Sequence, residues 1–255
     1  SIDISYNLLI VMIVFVAYGL LGFIDDWLKI KYHNNKGLSI LFKLACQMLI
    51  ALVFFYIYIT NGGSPVVEVS ALGFRLDLGW MYGIFILFLL VGSSNAVNIT
   101  DGLDGLAGGL SAIAFLTYGL LAWNASWMEG SQEVGIFCFV LVGTLLGFLV
   151  FNSHPARVFM GDTGSLSLGG ALAAIAILTK HELLLAVVGG VFVVETLSSL
   201  IQMIAIIKFK RKILKMAPLH HHFEQCGWEE RDIVKIFYVV GLLLAMAAIT
   251  YGVWL

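Results

Sequence analysis

Eight mostly apolar stretches, each long or nearly long enough to cross a membrane, follow one another along this chain: roughly residues 5–24, 40–60, 80–99, 105–124, 134–151, 165–179, 183–207 and 233–254. A transmembrane helix needs about 20 such residues, and within the hydrocarbon layer only structures that satisfy their own backbone persist. The pattern predicts an all-α, polytopic integral membrane protein organised as one membrane-embedded domain over residues 1–255. Composition agrees, with 60% hydrophobic and 12% charged residues, unlike a soluble domain. The sixth stretch is short and carries Gly169-Gly170, so its ends are the least defined. Residues 61–79 are polar, and Gly62-Gly63-Ser64-Pro65 precedes Val66, Val67, Val69 and Leu72, a pattern that suits a small surface hairpin.

A formal net charge of -2 argues against a nucleic-acid partner. Cys46 and Cys138 lie in apolar runs and Cys226 in a polar one, so neither a disulfide framework nor a CxxC metal pattern is present. The first stretch has no basic leader and no small-residue cleavage site, and reads as a span rather than a signal peptide.

Placing the segment after the first span in the cytoplasm puts twelve of the fourteen Lys and Arg residues inside, leaving Arg75 and Lys180 outside. That skew fixes the orientation. Four polar clusters then share the cytoplasmic face.

The first is Asp25-Asp26-Trp-Leu-Lys29, expected to end span one, with Lys29 a turn beyond Asp25. Acidic residues at a helix C-terminus oppose its dipole, and adjacent carboxylates repel, so a bound cation or shared proton would relieve them. The alternative is a solvated helix end. The second runs Asn95-x-x-Asn98-x-x-Asp101-Gly102-Leu103-Asp104-Gly105, with residues three apart on one helical face and glycines that allow close approach to a ligand. Asp101 could instead cap span four, but capping leaves Asn95, Asn98 and Asp104 unexplained.

The third cluster is Asn152-Ser-His154-Pro-Ala-Arg157-Val-Phe159-Met-Gly-Asp162-Thr163-Gly-Ser165. Thr163 or Ser165 is expected to cap span six, beside an Asp162 suited to a hard cation such as Mg²⁺. A structural turn is the simpler reading. The fourth is His220-His221-His222, whose rings would diverge on a helix and make a poor tetrahedral zinc set, but suit phosphate oxygens. Glu195 and Gln202 lie in span seven. Glu195 is either a functional ionisable group or a neutral packing residue, while Gln202 is placed to line the site. Carboxylates, amides and imidazoles at one membrane face point to phosphoryl transfer; no GxxxxGK[ST] loop is present, which excludes a P-loop hydrolase.

These four motifs, together with Ala217-Pro-Leu-His220-His-His-Phe-Glu, resemble the polyprenyl-phosphate N-acetylhexosamine-1-phosphate transferases along the whole chain. The triple histidine after Met-Ala-Pro is similar to the muramoyl-pentapeptide branch rather than the N-acetylglucosamine branch. The resemblance implies transfer of phospho-MurNAc-pentapeptide from UDP to undecaprenyl phosphate, giving lipid I and UMP with Mg²⁺, by a homodimer in the bacterial inner membrane. It implies that Asp162 holds Mg²⁺ and that Asp25 and Asp26 lie at the reacting phosphates. Asn98, Asp101, Gly102, Leu103 and Asp104 would line the nucleotide site, with Phe159 on uracil and Gln202 nearby. His220, His221 and His222 would face the sugar-phosphate, and Lys29, Lys43 and Asn95 complete the expected contacts. Direct attack by the lipid phosphate is favoured over a covalent phospho-aspartate on Asp26 or Asp25. Members of this branch have ten spans, so the sequence is expected to begin just before the third, without a first cytoplasmic loop that contributes substrate contacts. A transporter would instead carry ionisable residues at span centres, where only Glu195 qualifies.

Overall fold

A computed structural model describes residues 5–33, 36–69, 73–125 and 127–254. Ten helices and one hairpin are present among them: α1 (Tyr6–Lys31), α2 (Ile40–Thr60), β1 (Val66–Val69), β2 (Phe74–Asp77), α3 (Met81–Thr100), α4 (Leu106–Asn124), α5 (Ser131–Asn152), α6 (Gly161–Leu178), α7 (Leu185–Val188), α8 (Gly190–Phe209), α9 (Leu219–Gln225) and α10 (Glu230–Trp254). Eight of these are long and apolar enough to cross a membrane, and the chain is a multi-pass, all-α membrane protein.

Local chemistry sets several helix ends. Ser5 and Ser39 accept hydrogen bonds from the Leu8 and Phe42 amides, each at 3.3 Å, and start α1 and α2. Helix α1 runs past the expected end of its span, so Asp25, Asp26 and Lys29 lie within its last turns rather than beyond it; Lys29 and Lys31 there match the dipole. The expected span over 183–207 is broken at Gly189 into α7 and α8, because consecutive glycines weaken a helix.

Helices α4 and α6 form the buried centre, and α6 packs most extensively against α1 and α3. Its sequence, Ser-Leu-Ser-Leu-Gly-Gly-Ala-Leu-Ala-Ala, keeps side chains small so that neighbouring backbones approach closely, as membrane helices require. The closest approach is at Gly22 of α1, where any Cβ would run into the backbone of Asp162 and Thr163.

The hairpin expected within residues 61–79 forms with β1 and β2 antiparallel, Val66 opposite Asp77 and Val69 opposite Phe74; Leu72 lies outside the described residues. Lys180, just beyond α6, ties the hairpin down. Its ammonium donates to the Ser64 and Val66 carbonyls and to the Tyr82 hydroxyl, and lies 4.9 Å from the Tyr82 ring centre. The hairpin therefore marks the end of the bundle opposite the clusters described next.

Candidate active site

The ends of α1, α2, α3 and α6 converge on three carboxylates, Asp25, Asp26 and Asp162, each offering an oxygen within 4.8 Å of the others. Lys29 bridges all three, at 2.6 Å from Asp25, 3.2 Å from Asp162 and 3.4 Å from Asp26. From α2, Lys43 makes a second, short ion pair with Asp162. Asn98 of α3 donates to Asp162 at 2.8 Å and to the Ser165 hydroxyl at 2.9 Å. Bringing these carboxylates together costs repulsion that two ammonium groups offset here.

Asp25 and Asp26 are held differently. Asp25 is buried and accepts from the Leu38 amide at 2.7 Å, anchoring the segment that leads into α2. Asp26 caps α6 from across the interface: its carboxylate accepts from the Asp162 and Thr163 amides, at 3.3 and 2.9 Å, and from the Thr163 hydroxyl at 2.8 Å. Helix α6 thus starts at Gly161, without a side-chain cap of its own. The expectation that Thr163 or Ser165 caps it is corrected: both fall inside the helix, and Ser165 donates to the Gly161 carbonyl instead. A negative group at a helix N-terminus is favoured by the dipole and the free amides.

Asp101 follows α3, close to this group. Burial pushes its carboxyl up to about 6, with the Asp162 and Asp26 charges adding to the shift and a hydrogen bond from the Gly161 amide opposing it.

The three histidines take different partners but do not all diverge as expected: the rings of His220 and His221 meet edge to face, their centres 4.2 Å apart. His220 is fully buried and pairs through Nδ1 with Glu195 at 2.8 Å, while its backbone amide also donates to Glu195. Its Nε2 faces Gly102, where a Cβ would collide with it, and has no hydrogen-bond partner among the described residues. Glu195, left open by the sequence, is thereby the buried partner of His220. His221 pairs with Glu224, and His222 accepts at Nδ1 from the Lys215 amide at 3.1 Å. The Nε2 of His222 lies 3.8 Å from the Cys226 sulfur.

Other expected residues are engaged elsewhere. Asn95 exchanges hydrogen bonds with Gln47 across α2 and α3, at 2.8 and 3.4 Å, and does not join the carboxylates. Gln202 spends its side chain on the 213–214 backbone, accepting from Ile213 and Leu214 at 3.0 Å and donating to the Leu214 carbonyl at 2.9 Å. It secures the segment ahead of the histidines rather than facing the acidic group. Leu103 is buried, whereas Phe159 is 75% exposed.

Asp104 belongs to a separate network. Its carboxylate accepts from the Ala156 amide at 2.9 Å and pairs with His154 at 3.1 Å, and its backbone amide donates to Glu230 at 2.6 Å. His154 also meets Glu230 at 2.9 Å. Asn152 accepts from the Gly105 amide at 3.1 Å and donates to the Val158 carbonyl at 2.8 Å. Reading the sequence alone gives no role to Gln47 or Glu230 and none specifically to His154. Gln47 had one signal, a glutamine inside an apolar run; Glu230 looks like an ordinary acidic first turn.

Residues 8–180 match the model of glycosyl transferase family 4. Phospho-N-acetylmuramoyl-pentapeptide-transferase of Geobacillus kaustophilus is 53% identical over 246 residues, 96% of this chain and 75% of that protein. The protein of that name from Anoxybacillus flavithermus is 53% identical over 250 residues, covering 98% and 75%. The one from Bacillus subtilis is 50% identical over 253 residues, covering 99% and 77%. A match of this depth across nearly the whole chain, spanning the three carboxylates, the Asn98–Asp104 motif and the histidines, settles kinship: the chain belongs to glycosyl transferase family 4 and, within it, to the phospho-N-acetylmuramoyl-pentapeptide-transferase enzymes.

Proposed function

We propose that this enzyme moves phospho-MurNAc-pentapeptide from its UDP carrier to undecaprenyl phosphate, yielding lipid I and UMP, with Mg²⁺, as a homodimer at the cytoplasmic face of the bacterial inner membrane. The observation that carries this reading is the meeting of Asp25, Asp26 and Asp162 with Lys29 and Lys43 at one end of a lipid-embedded bundle. Both substrates are phosphates, and one is a membrane lipid; carboxylates and ammonium groups at the end of a membrane bundle suit both.

The donor set fits Mg²⁺, since three carboxylates supply oxygen ligands at the density a hard divalent cation takes. Asp162 would hold it, with Asp25 and Asp26 beside it. When bound, the ion neutralises charge on the transferring group and polarises it. Lys29 and Lys43, now paired with carboxylates, are the groups that would turn to the phosphate oxygens.

An acceptor monoester has a second pKa near 6 and is largely dianionic at neutral pH, so it scarcely needs a base. Its oxygen bonds to the β-phosphorus while the bond to the bridging α–β oxygen breaks and UMP leaves with that electron pair. The aspartates favour this single step over a phospho-enzyme. Asp26 spends both oxygens on the start of α6, and Asp25 is buried against Lys29 and Leu38. At the other end, the exposed Phe159 offers a flat surface for the uracil base.

The sister reading, transfer of N-acetylglucosamine-1-phosphate, is disfavoured by the names its relatives carry. The test mixes full-length protein with undecaprenyl phosphate, Mg²⁺ and either UDP-sugar, and follows UMP. Release with UDP-MurNAc-pentapeptide is expected, and Asp162→Asn should lose most of it, with part returned by added Mg²⁺. Release only with UDP-N-acetylglucosamine moves the enzyme to the sister reaction; no release with either donor overturns the proposal.

A further inference from the structure

The network around His154 lies away from the three carboxylates. It joins three separate stretches of chain: the turn after α3, the segment between α5 and α6, and the start of α10. His154 is the hub. Its Nδ1 lies 3.1 Å from Asp104 and 2.9 Å from Glu230, and the two carboxylates are also linked by the Asp104 amide donating to Glu230. Asp104 in turn accepts from the Ala156 amide. Tyr238 of α10 donates to the Gly105 carbonyl at 2.6 Å, a second tie between the same pieces.

These contacts are arranged to hold something still. Between Ala156 and the start of α6 the chain presents Val158 and Phe159 to the outside, 47% and 75% exposed. An exposed aromatic ring has no packing of its own to fix it, so its place depends on the backbone on either side. On one side that backbone is fastened to Asp104 and Asn152; on the other, Met160 lies against Gly108 and leads into α6. Asp104 closes the turn that contains Gly102, which lies directly against His220. The spacing between the Phe159 ring and the Gly102 turn therefore depends on the ties between that turn and the 152–158 segment, and His154 is the one that also brings in Glu230 of α10.

We propose that His154, with Glu230, is a positioning residue for the nucleotide end of the donor: by clamping Asp104 to the 153–158 segment it sets the gap between Phe159 and the Gly102–Asp104 turn into which the base fits. The inference rests on the reaction proposed above. It adds a residue outside the acidic group that acts on one substrate and not the other. A gap for a flat ring admits little error, because misplacement by about an ångström costs much of the binding a rigid site provides. Among the described residues no hydrogen bond or ion pair joins this network to Lys29, Lys43 or Asp162, so the reacting phosphates and the lipid are left as they are.

The experiment uses full-length protein in detergent and compares wild type with His154→Ala, His154→Asn and Glu230→Gln. It measures KM for UDP-MurNAc-pentapeptide, KM for undecaprenyl phosphate, kcat, and inhibition by the product UMP. His154→Ala should raise the donor KM and the UMP inhibition constant together, each on the order of tenfold, about 1.4 kcal/mol. The lipid KM and kcat should stay within about twofold. Glu230→Gln should give a smaller shift in the same two constants. His154→Asn keeps a donor at the position of Nδ1 and should recover most of the loss, which a general loosening of the fold would not allow. An unchanged donor KM and UMP constant in His154→Ala overturns the inference, as does a fall in kcat with both KM values rising in His154→Asn. A wild-type protein that releases no UMP counts instead against the reaction itself, and the inference falls with it.

Discussion

Asp101 shows how a single residue is tuned by where the helices bring it. Its carboxyl is raised from an ordinary 3.8 to about 6, first by burial and then by the charge on Asp162. The folded protein holds this proton more tightly than the unfolded chain does. Ionising Asp101 therefore costs the folded state: the cost is absent below about pH 4, grows between about 4 and 6, and is complete above 6. In Mg²⁺-free buffer, Asp101→Asn keeps the acceptor for the Gly161 amide and removes the charge, so its melting temperature should exceed that of wild type at about pH 7.5 and match it near pH 4. An equal difference at both pH values would assign the effect to something other than ionisation. The carboxylates were legible in the sequence because charges are costly in an apolar chain. Which amide serves them was not. Asn95 and Asn98 lie three apart on α3, but one meets Gln47 of α2 and the other Asp162 of α6, a choice made by neighbours far away in the chain.

At the scale of elements, α6 is the piece on which the site depends, since it carries Asp162 and is capped by Asp26 of α1. That cap exists only because α1 and α6 touch at Gly22, where a Cβ would strike the Asp162 backbone. Gly22→Val should separate the two helices, costing about 1–3 kcal/mol as overpacking does, lowering the thermal midpoint and the activity together. Gly143 of α5 has nothing within 4 Å of an added Cβ, and Gly143→Val there should leave both nearly unchanged. If the two variants melt alike, the close approach is not what holds the site. The helices themselves could be read from the sequence, since length and hydropathy define a span. Their ends could not: α6 begins at Gly161 because the partner for its first amides comes from another helix, and no local cap marks it. The division into α7 and α8 at Gly189 was hidden for the opposite reason, in that one unbroken apolar run contains it.

For the whole molecule, the question is which face of the membrane the carboxylates address. The hairpin and Lys180 occupy one end of the bundle, and Asp25, Asp26, Asp162 and the histidines the other, so a single accessibility measurement orients every part. The Lys and Arg excess belongs to the carboxylate end, and the reaction proposed above needs that end in the cytoplasm, as such an excess predicts. Cys226 provides a native probe there: it is exposed and follows directly on α9, the helix of the histidines, whereas Cys138 is buried. A membrane-impermeant maleimide should leave Cys226 unmodified in sealed right-side-out spheroplasts and label it in inverted vesicles. A second variant, Arg75→Cys with Cys226→Ser, moves the probe to exposed β2 and should reverse the pattern. Labelling of Cys226 from outside the sealed cell would place the carboxylates at the wrong face for a cytoplasmic UDP-linked donor. The orientation and the proposed reaction would then fail together, because the lipid acceptor can be met from either leaflet but the nucleotide cannot.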